Sequence, residues 1–181
     1  AQLYFWPPSA FTAGNAVVSL LESPLLMLDS CSFITIQGFR LAYARGGGVD
    51  VRGGDHNTVR GCAFSCLGNT AVRIEGGSGN GVVECTINEI GMGGIQLDGG
   101  DRRNLTPGGN YVTDCDIHDY SQWLSTGQYA VWIEGVGNRL QHCLIHDAPF
   151  EGVYLKGNDH LIEYNDFHHL MKESGDAGAI H

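Results

Sequence analysis

Positive charge is scarce in this sequence: Lys and Arg number 10 against 20 Asp and Glu, a formal net charge of −10. A field of that sign repels phosphate backbones and anionic lipid, so neither nucleic acid nor a membrane is expected as a partner. It also disfavours polyanionic sugars unless a cation or a local arginine cluster intervenes. Long apolar runs are missing, with no stretch near the roughly 18 residues that span a bilayer. Helical periodicity is missing as well, which excludes βαβ units. The six Cys include no Cys-x-x-Cys pair, which argues against a zinc module. The 27 Gly follow no period of three, which excludes collagen, and 43% hydrophobic residues are too many for disorder. The N-terminus, Ala1-Gln2-Leu3, has neither a Met nor a signal-peptide pattern. The C-terminus, Ala177-Gly178-Ala179-Ile180-His181, reads as mid-strand. The expectation is one domain over residues 1–181, trimmed from a longer secreted or periplasmic protein.

What is present is a repeat. Asn57 to Phe64, Asn80 to Ile87, Asn110 to Ile117 and Asn138 to Ile145 share one pattern. Each reads Asn, any residue, aliphatic, two residues, Cys, any residue, apolar. A fifth copy, His160 to Phe167, places Asn165 at the Cys position, and a weaker first copy, Ile34 to Leu41, places Phe39 there. A second column follows about ten residues later: Val49-Asp50-Val51, Val72-Arg73-Ile74, Ile95-Gln96-Leu97, Val131-Trp132-Ile133 and Val153-Tyr154-Leu155. Its in–out–in alternation is that of a half-buried strand. A Gly follows each: Gly53, Gly76, Gly99, Gly135 and Gly157. Short strands and tight corners in constant phase predict an all-β fold, a right-handed single-stranded parallel β-helix of about six coils. Residues 98–110 are expected to lengthen the third coil and residues 120–129 the fourth.

Cys62, Cys85, Cys115 and Cys143 recur at one inward position, where a free thiol serves as a small buried hydrophobe. The Asn57, Asn80, Asn110 and Asn138 column is expected to stack amides at a corner.

Chemistry is expected at the insertions and on outward positions. Trp132 and Tyr154 offer aromatic faces for sugar rings beside Asp98, Glu134 and Lys156. Ile117-His118-Asp119, Ile145-His146-Asp147 and Phe167-His168-His169 predict a His column with Asp119, Asp147 and His169 next to it. Such a column could hold a metal or move protons, and repeated polar residues at a corner also serve as turn caps. The capping account is preferred, so no metal site is assigned. Asp176 lies among small residues that leave its carboxylate reachable, and Glu151 is expected to start a strand near the same end.

Five stretches carry a family resemblance: Gly93 to Arg102, Gly135 to Asn138, Ile145 to Pro149, Gly157 to Asn165, and Asp176-Ala177-Gly178-Ala179-Ile180. Together they resemble the large secreted bacterial β-helix proteins related to glycoside hydrolase family 141. The resemblance implies action on plant cell-wall polysaccharide through two Asp residues, the first matching Asp176 and the second lying beyond His181. The candidate catalytic set is thus Asp176, Asp147 and Glu151. The candidate substrate-binding set is Trp132, Tyr154, His146, His118, Asp119, Lys156, His169 and Asp98.

No cofactor is expected for hydrolysis. The alternatives are a polysaccharide lyase, which would call for Ca2+, and a non-catalytic carbohydrate-binding or structural β-helix. The expected partner is a polysaccharide or oligosaccharide. An uncapped last coil would also favour end-to-end self-association.

Overall fold

The computed structural model describes Tyr4, Trp6, residues 16–175 and residues 177–181. Asp176 lies outside the described residues. The chain winds through six coils. The first holds β1 (Leu26–Asp29), β2 (Thr35–Gln37) and β3 (Arg40–Ala44). The second holds β4 (Val49–Arg52), β5 (Thr58–Arg60) and β6 (Ala63–Leu67), and the third β7 (Val72–Glu75), β8 (Gly81–Val83) and β9 (Thr86–Ile90). The fourth contains β10 (Ile95–Asp98), a hairpin of β11 (Gly100–Asp101) and β12 (Thr106–Pro107), then β13 (Tyr111–Thr113) and β14 (Asp116–His118). The fifth holds β15 (Val131–Val136), β16 (Arg139–Gln141) and β17 (Leu144–His146), and the sixth β18 (Val153–Asn158), β19 (Leu161–Glu163) and β20 (Asp166–His168).

Stacking the coils makes three parallel six-stranded sheets. Sheet A is β1-β4-β7-β10-β15-β18, sheet B is β2-β5-β8-β13-β16-β19, and sheet C is β3-β6-β9-β14-β17-β20. The register is the one the repeat implies: Val49, Val72, Ile95, Val131 and Val153 lie one above the next in sheet A. Ile36, Val59, Val82, Val112, Leu140 and Ile162 do so in sheet B. Leu41, Phe64, Ile87, Ile117, Ile145 and Phe167 do so in sheet C. These files form one continuous core.

The Asn-to-apolar column holds two strands in each coil. In each coil the residue before the Cys position is left-handed: Gly38, Gly61, Glu84, Asp114, His142 and Tyr164 have φ between 53° and 72°. That bend turns sheet B into sheet C. The thiol after it adds a second hydrogen bond to the strand-end carbonyl, which already accepts a backbone N–H from the coil before. Cys62 donates to Arg60 O at 3.3 Å, Cys85 to Val83 O at 3.3 Å, Cys115 to Thr113 O at 3.3 Å and Cys143 to Gln141 O at 3.2 Å. All four are buried and free. Phe39 breaks the file: it is exposed, because a benzyl group at this bend has neither the donor nor the size to replace a thiol. Asn165 substitutes by donating to Leu140 O at 3.0 Å while accepting from Cys143 N at 2.9 Å.

Residues 98–110 form the β11–β12 hairpin between sheets A and B, and residues 120–129 fill the corner between β14 and β15. Four inward residues of the sixth coil, Leu155, Ile162, Phe167 and Leu170, are only partly buried, whereas Val153 in the same coil and Ile133, Leu140 and Ile145 above are sealed.

Candidate functional site

Sheet A presents two outward rows. The first is Asp50, Arg73, Gln96, Trp132 and Tyr154, in register on successive coils. The Trp132 and Tyr154 ring centroids are 4.4 Å apart, with an interplanar angle of 42°. Tyr129, from the 120–129 insertion, packs 5.5 Å from Trp132 and 5.1 Å from Tyr154. His181 stacks on Tyr154 at 5.7 Å. The expected pair is therefore part of a larger, half-buried aromatic platform.

A cleft of about 230 Å³ beside the platform is lined by Arg73, Gln96, Gln128, Tyr129 and Trp132 among others. It shares Asn69, Thr70 and Arg73 with a smaller cleft over Asp50 and Arg52. Two N–H donors, Arg73 Nε and Trp132 Nε1, are buried without a hydrogen-bond acceptor. Such orphans each cost about 1–3 kcal/mol and call for a functional or solvent explanation.

The second row is Arg52, Glu75, Asp98, Glu134 and Lys156. Lys156 Nζ lies 3.0 Å from Glu134. Asp98, Arg102, Glu134, Gly135 and Lys156 line a further cleft of about 160 Å³. Burial raises the Asp98 carboxyl above its ordinary range, and the negative charge of Glu134 raises it further. Asp50, 7% exposed, is also raised by burial, against the pull of Arg73 and Arg52.

Sheet C carries the histidines. His118, His146 and His168 stack with centroids 4.8 and 4.9 Å apart. The residues after them, Asp119, Asp147 and His169, are left-handed, with φ of 49°, 51° and 51°. Each Asp holds the Nδ1 of the preceding His at 2.8 Å, and His169 Nδ1 sits 2.8 Å from His168 Nδ1. Asp147 also pairs with Lys172. Lys172 first, then His146, holds the Asp147 carboxyl far below its usual range.

Glu151 departs from its expected place. Strand β18 begins at Val153, and Glu151 is 2% exposed beneath Tyr120, whose hydroxyl donates to Glu151 O at 2.9 Å. Its carboxylate accepts from Gly178 N at 3.3 Å and lies 3.4 Å from His181 Nδ1. The corner packs inward, so this side chain faces the interior and not an open groove. The sequence-predicted residues thus divide in two. Trp132, Tyr154, Lys156 and Asp98 gather on sheet A, while His118, His146, Asp119, Asp147 and His169 gather on sheet C.

A family model for the right handed beta helix region matches residues 4–167. The chain belongs to that family. No curated protein matches it. Among solved structures, this β-helix chain is similar to the A-module of the mannuronan C-5 epimerase AlgE4 of Azotobacter vinelandii. The two are 12% identical with a TM-score of 0.44, over 86% of this chain and 55% of that one. The chain therefore spans about half the length of that structure.

A further cavity of about 470 Å³ lies elsewhere, between Val17, Val18 and Ser19 and the side chain of Trp123. Sequence reading attached no role to it. Its walls come from residues 17–19, from the corners at 43–45, 66–68 and 89–91 that follow sheet C on successive coils, and from Gln122 and Trp123. The one available signal was Trp123 itself, a large aromatic inside an insertion.

Proposed function

We propose that the outward face of sheet A binds a glycan chain and that the protein is a carbohydrate-active β-helix of glycoside hydrolase type. The observation that carries this reading is the meeting of the Trp132–Tyr154 platform with the Asp98–Glu134 carboxylates on adjacent rows of one sheet. Sugar rings stack on aromatic faces, and their hydroxyls suit the donors and carboxylates at the rim. Hydrolysis needs two carboxyl groups with different proton affinities. The raised Asp98 supplies the acid that protonates the leaving oxygen. Glu134, ion-paired with Lys156, supplies the carboxylate. Asp176, which the family-141 resemblance implies as catalytic, is a further member of the proposed set.

A lyase would need Lys156 or an Arg as the base, and the Lys156 ammonium is already paired with Glu134. That favours hydrolysis between the two chemistries.

The test is a panel of neutral and uronate-containing cell-wall glycans, read by reducing-sugar release and by absorbance of unsaturated product. Wild-type release that falls about 10²–10⁴-fold in Asp98→Asn, with binding kept, supports an acid role. Loss in Asp176→Asn with no change in Asp98→Asn moves the chemistry to Asp176. Unsaturated product that needs Ca2+ replaces hydrolase with lyase. Binding lost in Tyr154→Ala, with no product from any glycan, leaves a binding module only.

A further inference from the structure

The histidine ladder of sheet C does more than cap turns. We propose that Asp116, His118 and His146 form a binding site for a divalent late transition metal, with Zn2+ as the reference ion. One donor atom from each of the three lies within 4.8 Å of the others. Two imidazoles and a carboxylate are a donor set that suits zinc and its neighbours in the first row.

The tautomers point the same way. A carboxylate only accepts, so the 2.8 Å contacts from Asp119 and Asp147 place a proton on Nδ1 of His118 and of His146. Nε2 is then the nitrogen each ring has left for a ligand. Metal-bound histidines are oriented in this way by carboxylates behind them. Here the carboxylates come from the left-handed corner that follows each strand, so the fold itself repeats the pair on consecutive coils. Asp116 Oδ1 already sits 3.1 Å from His146 Nε2. A metal would take the place of the proton between them, and the remaining coordination positions would face solvent. The side chains of His118, His146 and Asp116 are 22%, 17% and 44% exposed, accessible yet held. The net charge of −10 draws cations to the surface.

The ligands span two coils, since Asp116 and His118 belong to β14 and His146 to β17. The ion would therefore staple neighbouring turns. This proposal is independent of sheet A and of any glycan.

The experiment is calorimetric titration of the chelator-treated chain with Zn2+ alone. Cys31→Ser and Cys66→Ser form the background, so that the less buried thiols do not compete. The expected result is one saturable site, lost in His146→Gln and in His118→Gln. Asp119→Asn keeps all three ligands and should weaken binding by about 10–100-fold. Histidine NMR resonances should move for these two rings while His56 and His160 stay in place. Zn2+ should also raise the melting temperature of the parent and not of His146→Gln. Binding that is unsaturable, or equal in His118→Gln, His146→Gln and the parent, overturns the site. If His146→Gln does not fold, Asp119→Asn decides: unchanged affinity there overturns the proposal, and weakened affinity supports it.

Discussion

The side-chain carbonyl of Asn80 accepts two hydrogen bonds from Asn57, one from its backbone N–H and one from its amide, each at 2.9 Å. Asn80 Nδ2 donates to Gly54 O at 3.1 Å, and its own N–H is taken by Asn110 Oδ1 at 2.8 Å. The chain of amides continues through Asn138, so each corner closes on the next. Asn80→Ala leaves the Asn57 N–H buried without a partner and removes one of two donors to the Gly54 carbonyl, which keeps Ser78 N at 3.3 Å. The expected loss is about 1–3 kcal/mol, the cost of one orphaned buried donor. Asn80→Asp should fare no better, because it keeps the acceptor and turns a charged oxygen toward the Gly54 carbonyl. Urea unfolding of both variants checks this.

The thiols should separate into two classes. Cys62, Cys85, Cys115 and Cys143 are buried, and only Cys31 and Cys66 have partial exposure. A disulfide reagent at neutral pH should therefore titrate two thiols in the native protein and all six in denaturant. Cys66 should be slow. Its Sγ lies 3.0 Å from Glu89 Oε2, and that hydrogen bond raises the thiol above its ordinary range. Glu89→Gln should speed its reaction, because more thiolate is then present. An unchanged rate would mean that the contact does not control the thiol.

Asp98 fixes a sign for the pH dependence. Its folded value lies above the ordinary 3.8, so the folded state holds the extra proton between those two values. Its contribution to stability is full below about 3.8 and declines as pH rises through the raised value. Asp98→Asn should therefore gain on the wild type as pH rises. Asp147 has the opposite sign: its carboxyl is lowered, so its contribution is present above the ordinary range and declines as pH falls. Its exposure makes that contribution sensitive to salt. Thermal melts across pH in Asp98→Asn and Asp147→Asn should cross in these directions.

Neighbouring glycines offer a sharp comparison. Gly76 and Gly77 are both left-handed, with φ of 75° and 67°. A Cβ on Gly76 would meet open space, whereas one on Gly77 would lie 1.9 Å from Gly54 O. Gly76→Ala should cost roughly 1–2 kcal/mol from backbone strain alone. Gly77→Ala must also push two coils apart and should lower the melting temperature far more. Equal effects would rule out the close approach of coils at this corner.

The ladders of sheet A were legible because an inward aliphatic every second residue, repeated in phase, admits one register. The sheet B–sheet C corner was not. Its bend depends on left-handed φ at Glu84, Asp114 and His142, residues with no glycine signature, and on a thiol-to-carbonyl bond that no composition reports. The burial of Glu151 was not legible because its surroundings are built by Tyr120, Gly178 and His181, which lie far along the chain. The His column was readable, and the 2.8 Å carboxylates behind His118 and His146 were not, since adjacency in sequence does not say which nitrogen they hold.

Because the strands of each turn pair only with those of the turn above and the turn below, traction along the axis should peel the molecule in discrete steps. The turn from Thr58 to Gly81 contains 23 residues and would release roughly 80 Å of thread. The turn from Gly81 to Tyr111 contains 30 and would release roughly 100 Å. The inserted hairpin thus marks one link in the chain by its length, a built-in ruler that tells which rung has let go.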